Sequence, residues 1–276
     1  MAAVAPVMIG TAMAFGDGIH DFPTASLCLL GALLIQVGTN IANDYYDFKH
    51  GADTAERLGP TRVTQSGLIK PEHVRAAFIL IFGLAAAVAL QLFFRGGWPI
   101  AAIGVASIIS GILYTARPKP LGYMGLGDLF VLVFFGPVAV AGTYYVQSYE
   151  INPAVIVAGL APGLMSVAIL AVNNYRDIDS DRKTGKKTLA VRFGREFAQV
   201  EYATAILLGS LIPVLIYLKI EDHLPILWSA LVSLLAIPSM RVVFSSTDGR
   251  ELNNVLAATG RLLFIYAVIF SIGWIL

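Results

Sequence analysis

The chain is expected to fold as an all-α integral membrane protein, with about nine transmembrane helices packed around a central cavity. Three observations lead there. Hydrophobic residues make up 57% of its 276 positions and charged residues only 13%, with a mean hydropathy of +0.74. A water-soluble domain carries about 25% charged residues. Apolar runs close to the roughly 20 residues that cross a bilayer recur along the whole sequence. Seventeen of the 19 Lys and Arg fall in, or close to the borders of, alternate connections between those runs, the bias that orients membrane proteins.

The segments, in order, are 2–16, 24–44, 72–94, 98–116, 127–146, 152–175, 196–219, 224–244 and 257–276. The first begins Met1-Ala2-Ala3-Val4-Ala5-Pro6, without the basic stretch of a signal peptide, so it reads as a membrane helix entered abruptly. Pro137, Pro162, Gly163, Pro213 and Pro238 fall inside segments; membrane helices tolerate them because neighbours satisfy the freed backbone groups. The basic residues follow the second, fourth, sixth and eighth segments, and only Arg95 and Lys219 lie on the other side. This places the even-numbered loops in the cytoplasm, the N-terminus inside and the C-terminus outside a cell membrane.

Two acidic clusters close segments on that same side. One reads Asn40-Ile41-Ala42-Asn43-Asp44-Tyr45-Tyr46-Asp47 and the other Asn173-Asn174-Tyr175-Arg176-Asp177-Ile178-Asp179-Ser180-Asp181. Each ends the second helix of a four-helix set and is followed by a basic loop. The expected organisation is one membrane-embedded domain over 1–276. Helices 1–4 carry the first cluster, helices 5–8 the second, and 257–276 is the final helix. Repeats in membrane proteins often place the site at their interface.

Carboxylates beside lipid-facing helices are costly and call for a cation or a water-filled cavity. Residues four apart share a helical face, so Asn43 with Asp47, and Asn173 with Asp177 and Asp181, project oxygen atoms together; Asp44 is four from Asn40. Carboxylate and amide oxygens suit a hard divalent ion, magnesium above all, which binds through one or two carboxylates plus substrate phosphates. His20, His50, His73 and His223 are scattered and Cys28 is alone, which argues against zinc and other soft metals and allows no internal disulfide. The basic neighbours Lys49, Arg57, Arg62, Arg117, Lys119, Arg182, Lys183, Lys186 and Lys187 can meet the remaining phosphate oxygens. A phosphorylated ligand in an apolar cavity points to a lipid, and an isoprenyl diphosphate has both the head and the tail. An allylic cation left by departing diphosphate would find aromatic faces among Tyr45, Tyr46, Tyr114, Tyr123, Phe134, Phe135, Tyr144 and Tyr145. A net charge of +1 gives no reason to expect nucleic acid as a partner.

Asn43-Asp44-x-x-Asp47 with Asn173-x-x-x-Asp177-x-x-x-Asp181 resembles the UbiA superfamily of intramembrane aromatic prenyltransferases. Within it the chain is most similar to the 1,4-dihydroxy-2-naphthoate polyprenyltransferases of menaquinone synthesis (MenA-type). Matching blocks run in order: Asn43 to Asp53, Gly59-Pro60-Thr61-Arg62-Val63 with Ser66-Gly67, Pro120-Leu121-Gly122-Tyr123 through Asp128, Phe134-Phe135-Gly136-Pro137, Gly142-Thr143-Tyr144-Tyr145, and Asn173 through Gly194. The resemblance implies a nine-helix fold, a polyprenyl diphosphate donor and magnesium dependence. It implies that Asp44, Asp47, Asp177 and Asp181 act through metal on the diphosphate, assisted by Asn43 and Asn173. It also implies that the naphthoate loses its carboxylate as the prenyl chain is attached, giving demethylmenaquinone. The expected substrate-binding residues are Asn43, Lys49, Arg62, Tyr114, Lys119, Asn173, Arg182 and Lys187.

Two departures stand out. Many members carry a third aspartate four residues after the second, where this chain has Gly51 and then Asp53. Members also usually carry an Arg-Pro-containing segment before the first helix, and this chain starts after it; a truncated start or an unusual first helix would account for that. Other acceptors remain open: 4-hydroxybenzoate, homogentisate, a chlorophyllide, haem or a glycerol phosphate. A cation-coupled transporter is the alternative from another class, since intramembrane carboxylates and repeats mark transporters too.

Overall fold

The computed structural model describes residues 1–51, 59, 62–116 and 118–276. Asp53, Arg57, Pro60, Thr61 and Arg117 lie outside the described residues. Twelve α-helices are described: α1 (Val4–Gly16), α2 (Phe22–Lys49), α3 (Pro71–Leu113), α4 (Gly127–Phe134), α5 (Pro137–Ser148), α6 (Pro153–Arg176), α7 (Ile178–Lys183), α8 (Leu189–Phe193), α9 (Arg195–Ile220), α10 (Val232–Leu235), α11 (Ile237–Ser245) and α12 (Gly249–Ile275). Short 3-10 segments cover Gly122–Met124 and Leu224–Leu231. Among the described residues, seven stretches are long and apolar enough to cross a membrane.

The seven stretches stand against an expected nine for two reasons. α1 is only 13 residues, about 20 Å at 1.5 Å per residue, against a hydrocarbon core of about 30 Å. The two segments expected at 72–94 and 98–116 fall within one such stretch, the 43 residues of α3, which is two helices meeting at non-helical backbone at Gly97 (φ 67°, ψ −157°). A straight helix of that length would measure about 64 Å, twice the core. Gly97 turns it back instead, since only glycine enters that region without steric cost. The two halves then lie against each other: a Cβ on Gly104 would stand 3.1 Å from the Ala89 Cβ, and one on Gly111 3.5 Å from the Phe82 ring.

The helix starts follow local chemistry. Asp21 caps α2 by accepting from the Thr24 N–H (3.1 Å), with Pro23 in the first turn. Asn152 caps α6 through the Val155 N–H (3.0 Å). Asp248 caps α12 through the Arg250 and Glu251 N–H groups. Each satisfies a donor that the first turn leaves open. The long apolar helix expected at 127–146 breaks between α4 and α5, where Pro137 has no N–H to continue the ladder.

α6 is the central post, packing against α4, α5, α9 and α12. Its Ala161, Ala168, Ala171 and Val172 are fully buried, in one cluster with Ile9, Met13, Tyr202, Leu263 and Phe270. The outer surface is apolar instead of charged: Trp98 is 78% exposed, Phe94 75% and Leu218 67%. Such residues face lipid, and Phe94 and Trp98 at the α3 turn match the aromatic belt of a membrane interface. α2 and α6 both end at the same face of the bundle, which brings the two acidic clusters together.

Candidate active site

A cavity of about 500 Å³ opens between α1–α6, and no residue of α9–α12 lines it among the described residues. One end is polar, with Asn43, Asp47, Arg62, Tyr123, Asn173, Asp177, Asp181 and Lys186. The other is apolar, reaching Val7, Cys28, Leu92, Ile100 and Val146, which form a hydrophobic cluster of their own. From Asp47 to Cys28 the cavity follows α2 for 19 residues, about 28 Å of rise.

The two clusters meet at one ammonium group. Lys186 Nζ lies 3.6 Å from Asp47 Oδ2 and 3.7 Å from Asp181 Oδ1. It also sits 5.0 Å from the centre of the Tyr123 ring, a cation over an aromatic face. The Tyr123 hydroxyl donates to Asp47 Oδ1 (2.9 Å), and Arg62 Nη2 is 3.8 Å from Asp47 Oδ2. The loop carrying Tyr123 is pinned to the one carrying Lys186: Lys187 N–H donates to the Tyr123 carbonyl (2.9 Å), and Arg192 donates to the carbonyls of Met124 and Lys187. Burial pushes the Asp181 carboxyl up to about 6; Lys186 pulls it down, while the Asp177 and Asp47 charges add to the rise. A carboxylate so raised binds a cation in exchange for a proton.

The remaining residues of the clusters have separate partners. Asn43 Oδ1 accepts from the Thr115 hydroxyl (2.8 Å). Asp177 takes a two-pronged contact from Arg176, at 2.7 Å from Nε and 2.6 Å from Nη2. Asp44 does not line the cavity; its carboxylate accepts from the backbone N–H groups of Val63 (3.0 Å) and Thr64 (3.2 Å). It thereby holds the strap that carries Arg62. Tyr114 lines the cavity with its ring across two glycines, where a Cβ would come within 3.0 Å of the ring at Gly122 and 2.9 Å of the hydroxyl at Gly127.

The match to known families decides what this arrangement belongs to. Residues 3–275 fit the model of the UbiA prenyltransferase family. The chain belongs to that family.

Two relatives called 1,4-dihydroxy-2-naphthoate octaprenyltransferase are each 36% identical to it. The one from Haemophilus influenzae aligns with 98% of this chain and 91% of its own length, and the one from Escherichia coli with 98% and 90%. Among solved structures, a UbiA homolog from Archaeoglobus fulgidus bound to GPP and Mg2+ superposes with a TM-score of 0.66 at 18% identity, covering 99% of this chain and 96% of that one. At that identity the likeness is one of fold.

In this UbiA-family chain the expected site residues divide. Asn43, Asp47, Arg62, Tyr114, Asn173, Asp177 and Asp181 line the cavity together. Lys49, Lys119, Arg182 and Lys187 are exposed and do not line it. Lys186 stands at the centre instead of Lys187, for a local reason. Residues 186–188 are neither helical nor turned, and alternate side chains of an extended segment point to opposite sides. Lys186 and Thr188 accordingly line the cavity while Lys187 faces out. Sequence reasoning also missed the Tyr123 hydroxyl, Thr115 and the Arg176 grip; the only signal was that Arg176 sits inside the second cluster. No group of three or more His, Cys, Asp or Glu is arranged to hold a metal by itself among the described residues.

Proposed function

We propose that this protein transfers a polyprenyl group from polyprenyl diphosphate to 1,4-dihydroxy-2-naphthoate, with loss of carbon dioxide, giving demethylmenaquinol, the hydroquinone form of demethylmenaquinone. One observation carries the reading: carboxylates from two separate helix ends, Asp47 and Asp181, share one cation at the mouth of a cavity that continues as an apolar channel. The names of the Haemophilus influenzae and Escherichia coli relatives support the acceptor and the prenyl transfer.

The donor set fits magnesium. Asp47, Asp177 and Asp181, with Asn43 and Asn173, offer only hard oxygen atoms to the cavity. Magnesium needs one or two carboxylates plus phosphate oxygens, so a three-acid cage is unnecessary. The Archaeoglobus homolog, which holds Mg2+ and GPP, supports the same assignment. Bound here, magnesium supplies charge neutralisation on the diphosphate and so makes it a better leaving group.

The chain's own groups do the rest. Lys186 and Arg62 stand beside Asp47 and can turn their donors to phosphate oxygens. Tyr123 fixes the Asp47 carboxylate by its hydrogen bond. The carbon–oxygen bond of the donor breaks with its electron pair going to diphosphate. The allylic fragment is then flanked by Tyr114, Phe130, Phe134 and Phe135 in the cavity wall, whose faces favour a cation and whose bulk excludes water. A ring carbon of the naphthoate supplies the pair for the new carbon–carbon bond, and its carboxylate departs as carbon dioxide.

Arg62 follows α2, Arg176 closes α6, and Arg182, Lys183, Lys186, Lys187, Arg192 and Arg195 come after it, which supports a cell-membrane orientation with the acidic clusters on the cytoplasmic side. The test is purified protein with magnesium, a polyprenyl diphosphate and a panel of aromatic acceptors, read by mass spectrometry. The expected product has the mass of the prenylated naphthoate less carbon dioxide, and Asp47→Ala and Asp177→Ala abolish it while the protein still inserts. Full turnover in either variant refutes their roles; product from another acceptor alone refutes the acceptor.

A further inference from the structure

Arg176 is 5% exposed at the end of α6, inside a membrane protein that can ill accommodate a lone cation. Its guanidinium is nearly saturated. Nε and Nη2 donate to the two oxygens of Asp177 (2.7 and 2.6 Å), Nη2 also donates to Asn173 Oδ1 (2.8 Å), and Nη1 donates to Asn253 Oδ1 on α12 (2.6 Å). Asn173 and Asp177 line the cavity, whereas Arg176 and Asn253 do not. The arginine therefore approaches both groups from behind. A carboxylate has about four lone-pair sites, so a two-pronged contact on the protein side leaves capacity toward the cavity.

We propose that Arg176, anchored by Asn253, is the positioning residue of the second acidic cluster, setting Asn173 and Asp177 against the cavity so that magnesium and diphosphate bind without reordering them. This rests on the metal-dependent reading above. A lysine cannot replace it, because a single ammonium lacks the planar fork that reaches a carboxylate and two amides at once. The plain alternative is an ion pair between chain neighbours that only stabilises the fold. Asn253 separates the two, since it does not line the cavity and its Oδ1 holds Arg176 from α12. Loss of such an outer partner lowers metal affinity by about 10–100-fold.

The experiment compares wild type, Asn253→Leu, Asn253→Asp and Arg176→Lys, purified in detergent. Magnesium is titrated in the presence of inorganic pyrophosphate, and the rise in unfolding temperature is read without turnover; magnesium-dependent kinetics are run in parallel. Asn253→Leu and Arg176→Lys should raise the magnesium midpoint by about tenfold or more, with kcat at saturating magnesium changed less. Asn253→Asp keeps an oxygen acceptor and should stay near wild type. A lower unfolding temperature without ligand, but an unmoved midpoint, makes the pair structural and overturns the proposal. A wild-type protein that makes product yet shows no response to magnesium with pyrophosphate overturns it as well. A wild type that neither responds nor makes product brings down the metal-dependent reading, and this one with it.

Discussion

Replacing Lys186 with methionine keeps the length of the side chain and removes its charge. The ammonium is 3.6 Å from Asp47 and 3.7 Å from Asp181, where two unit charges attract by about 4 kcal/mol at an effective dielectric of ~20. Desolvation of the three ions offsets much of that. The residue left behind matters more: two carboxylates, 4% and 10% exposed, facing one cavity without their cation. Breaking a buried pair in this way costs about 3–5 kcal/mol. Lys186 is itself 19% exposed, so the lower end, about 3 kcal/mol, is expected. On the scaling of domains of 150–250 residues that is roughly 6–12 °C in unfolding temperature. Asp181 already sits at about 6, above its ordinary 3.8. A raised acid destabilises the fold at pH above its folded value, and that penalty fades as pH falls through it. Without Lys186 the carboxyl rises further, so the deficit should be large at pH 8 and shrink toward pH 5. Magnesium, free to take the vacated position, should stabilise the variant more than the wild type. The assay is thermal unfolding in detergent at both pH values, with and without magnesium. Equal unfolding temperatures at pH 8 without magnesium, together with equal magnesium increments, would refute the shared-cation geometry.

Asp44→Asn should separate the two acids of the first cluster. An amide cannot accept from both the Val63 and Thr64 N–H groups as the carboxylate does, so a stability loss of about 1–3 kcal/mol is expected. The donor KM should rise through displacement of Arg62 while the magnesium midpoint stays put; a midpoint shifted as far as in Asp47→Asn would make Asp44 a metal ligand after all. The pH dependence follows from Asp181. Below about pH 6 a proton competes with the metal, so the magnesium concentration for half-maximal activity should climb by up to about tenfold per pH unit. A magnesium requirement that is flat from pH 7.5 to pH 5 removes Asp181 from the ligand set.

Much of the fold was legible because bilayer physics leaves few choices. Apolar runs placed most of the helices, and both acidic clusters closed helices on one face of the bundle as expected. Two features were not legible. Nothing in the spacing of 72–94 and 98–116 says that the chain reverses at a single residue, because Gly96, Gly97 and Pro99 together read as an ordinary loop. The φ of 67° at Gly97 is what makes the reversal between the two helices so tight. The break at Gly136-Pro137 is hard to read for another reason: hydropathy does not change across it, and membrane helices can tolerate an internal proline.

The site divides along a different line, between residue type and direction. Charge bias requires only that Lys49, Lys119, Arg182 and Lys187 lie on the acidic side of the bundle; chemistry also requires that a side chain point inward. Counting residues tests the first condition and not the second, so exposed lysines and arginines pass as substrate ligands. Direction is set by local geometry within one or two positions. Lys186 and Lys187 differ by one step of an extended segment, and only the first reaches Asp47 and Asp181. Asp44 and Asp47 differ by three residues on one helix, and only the second faces the cavity. Asp44 holds the strap that aims Arg62, and Arg176 holds the groups of the second cluster. Each cluster thus joins groups that face the cavity to groups that hold them in place, and both kinds sit within the same short run of sequence. That is why residues beside one another in the motif should respond differently to substitution: those facing the cavity through magnesium binding and turnover, those behind it through affinity and stability.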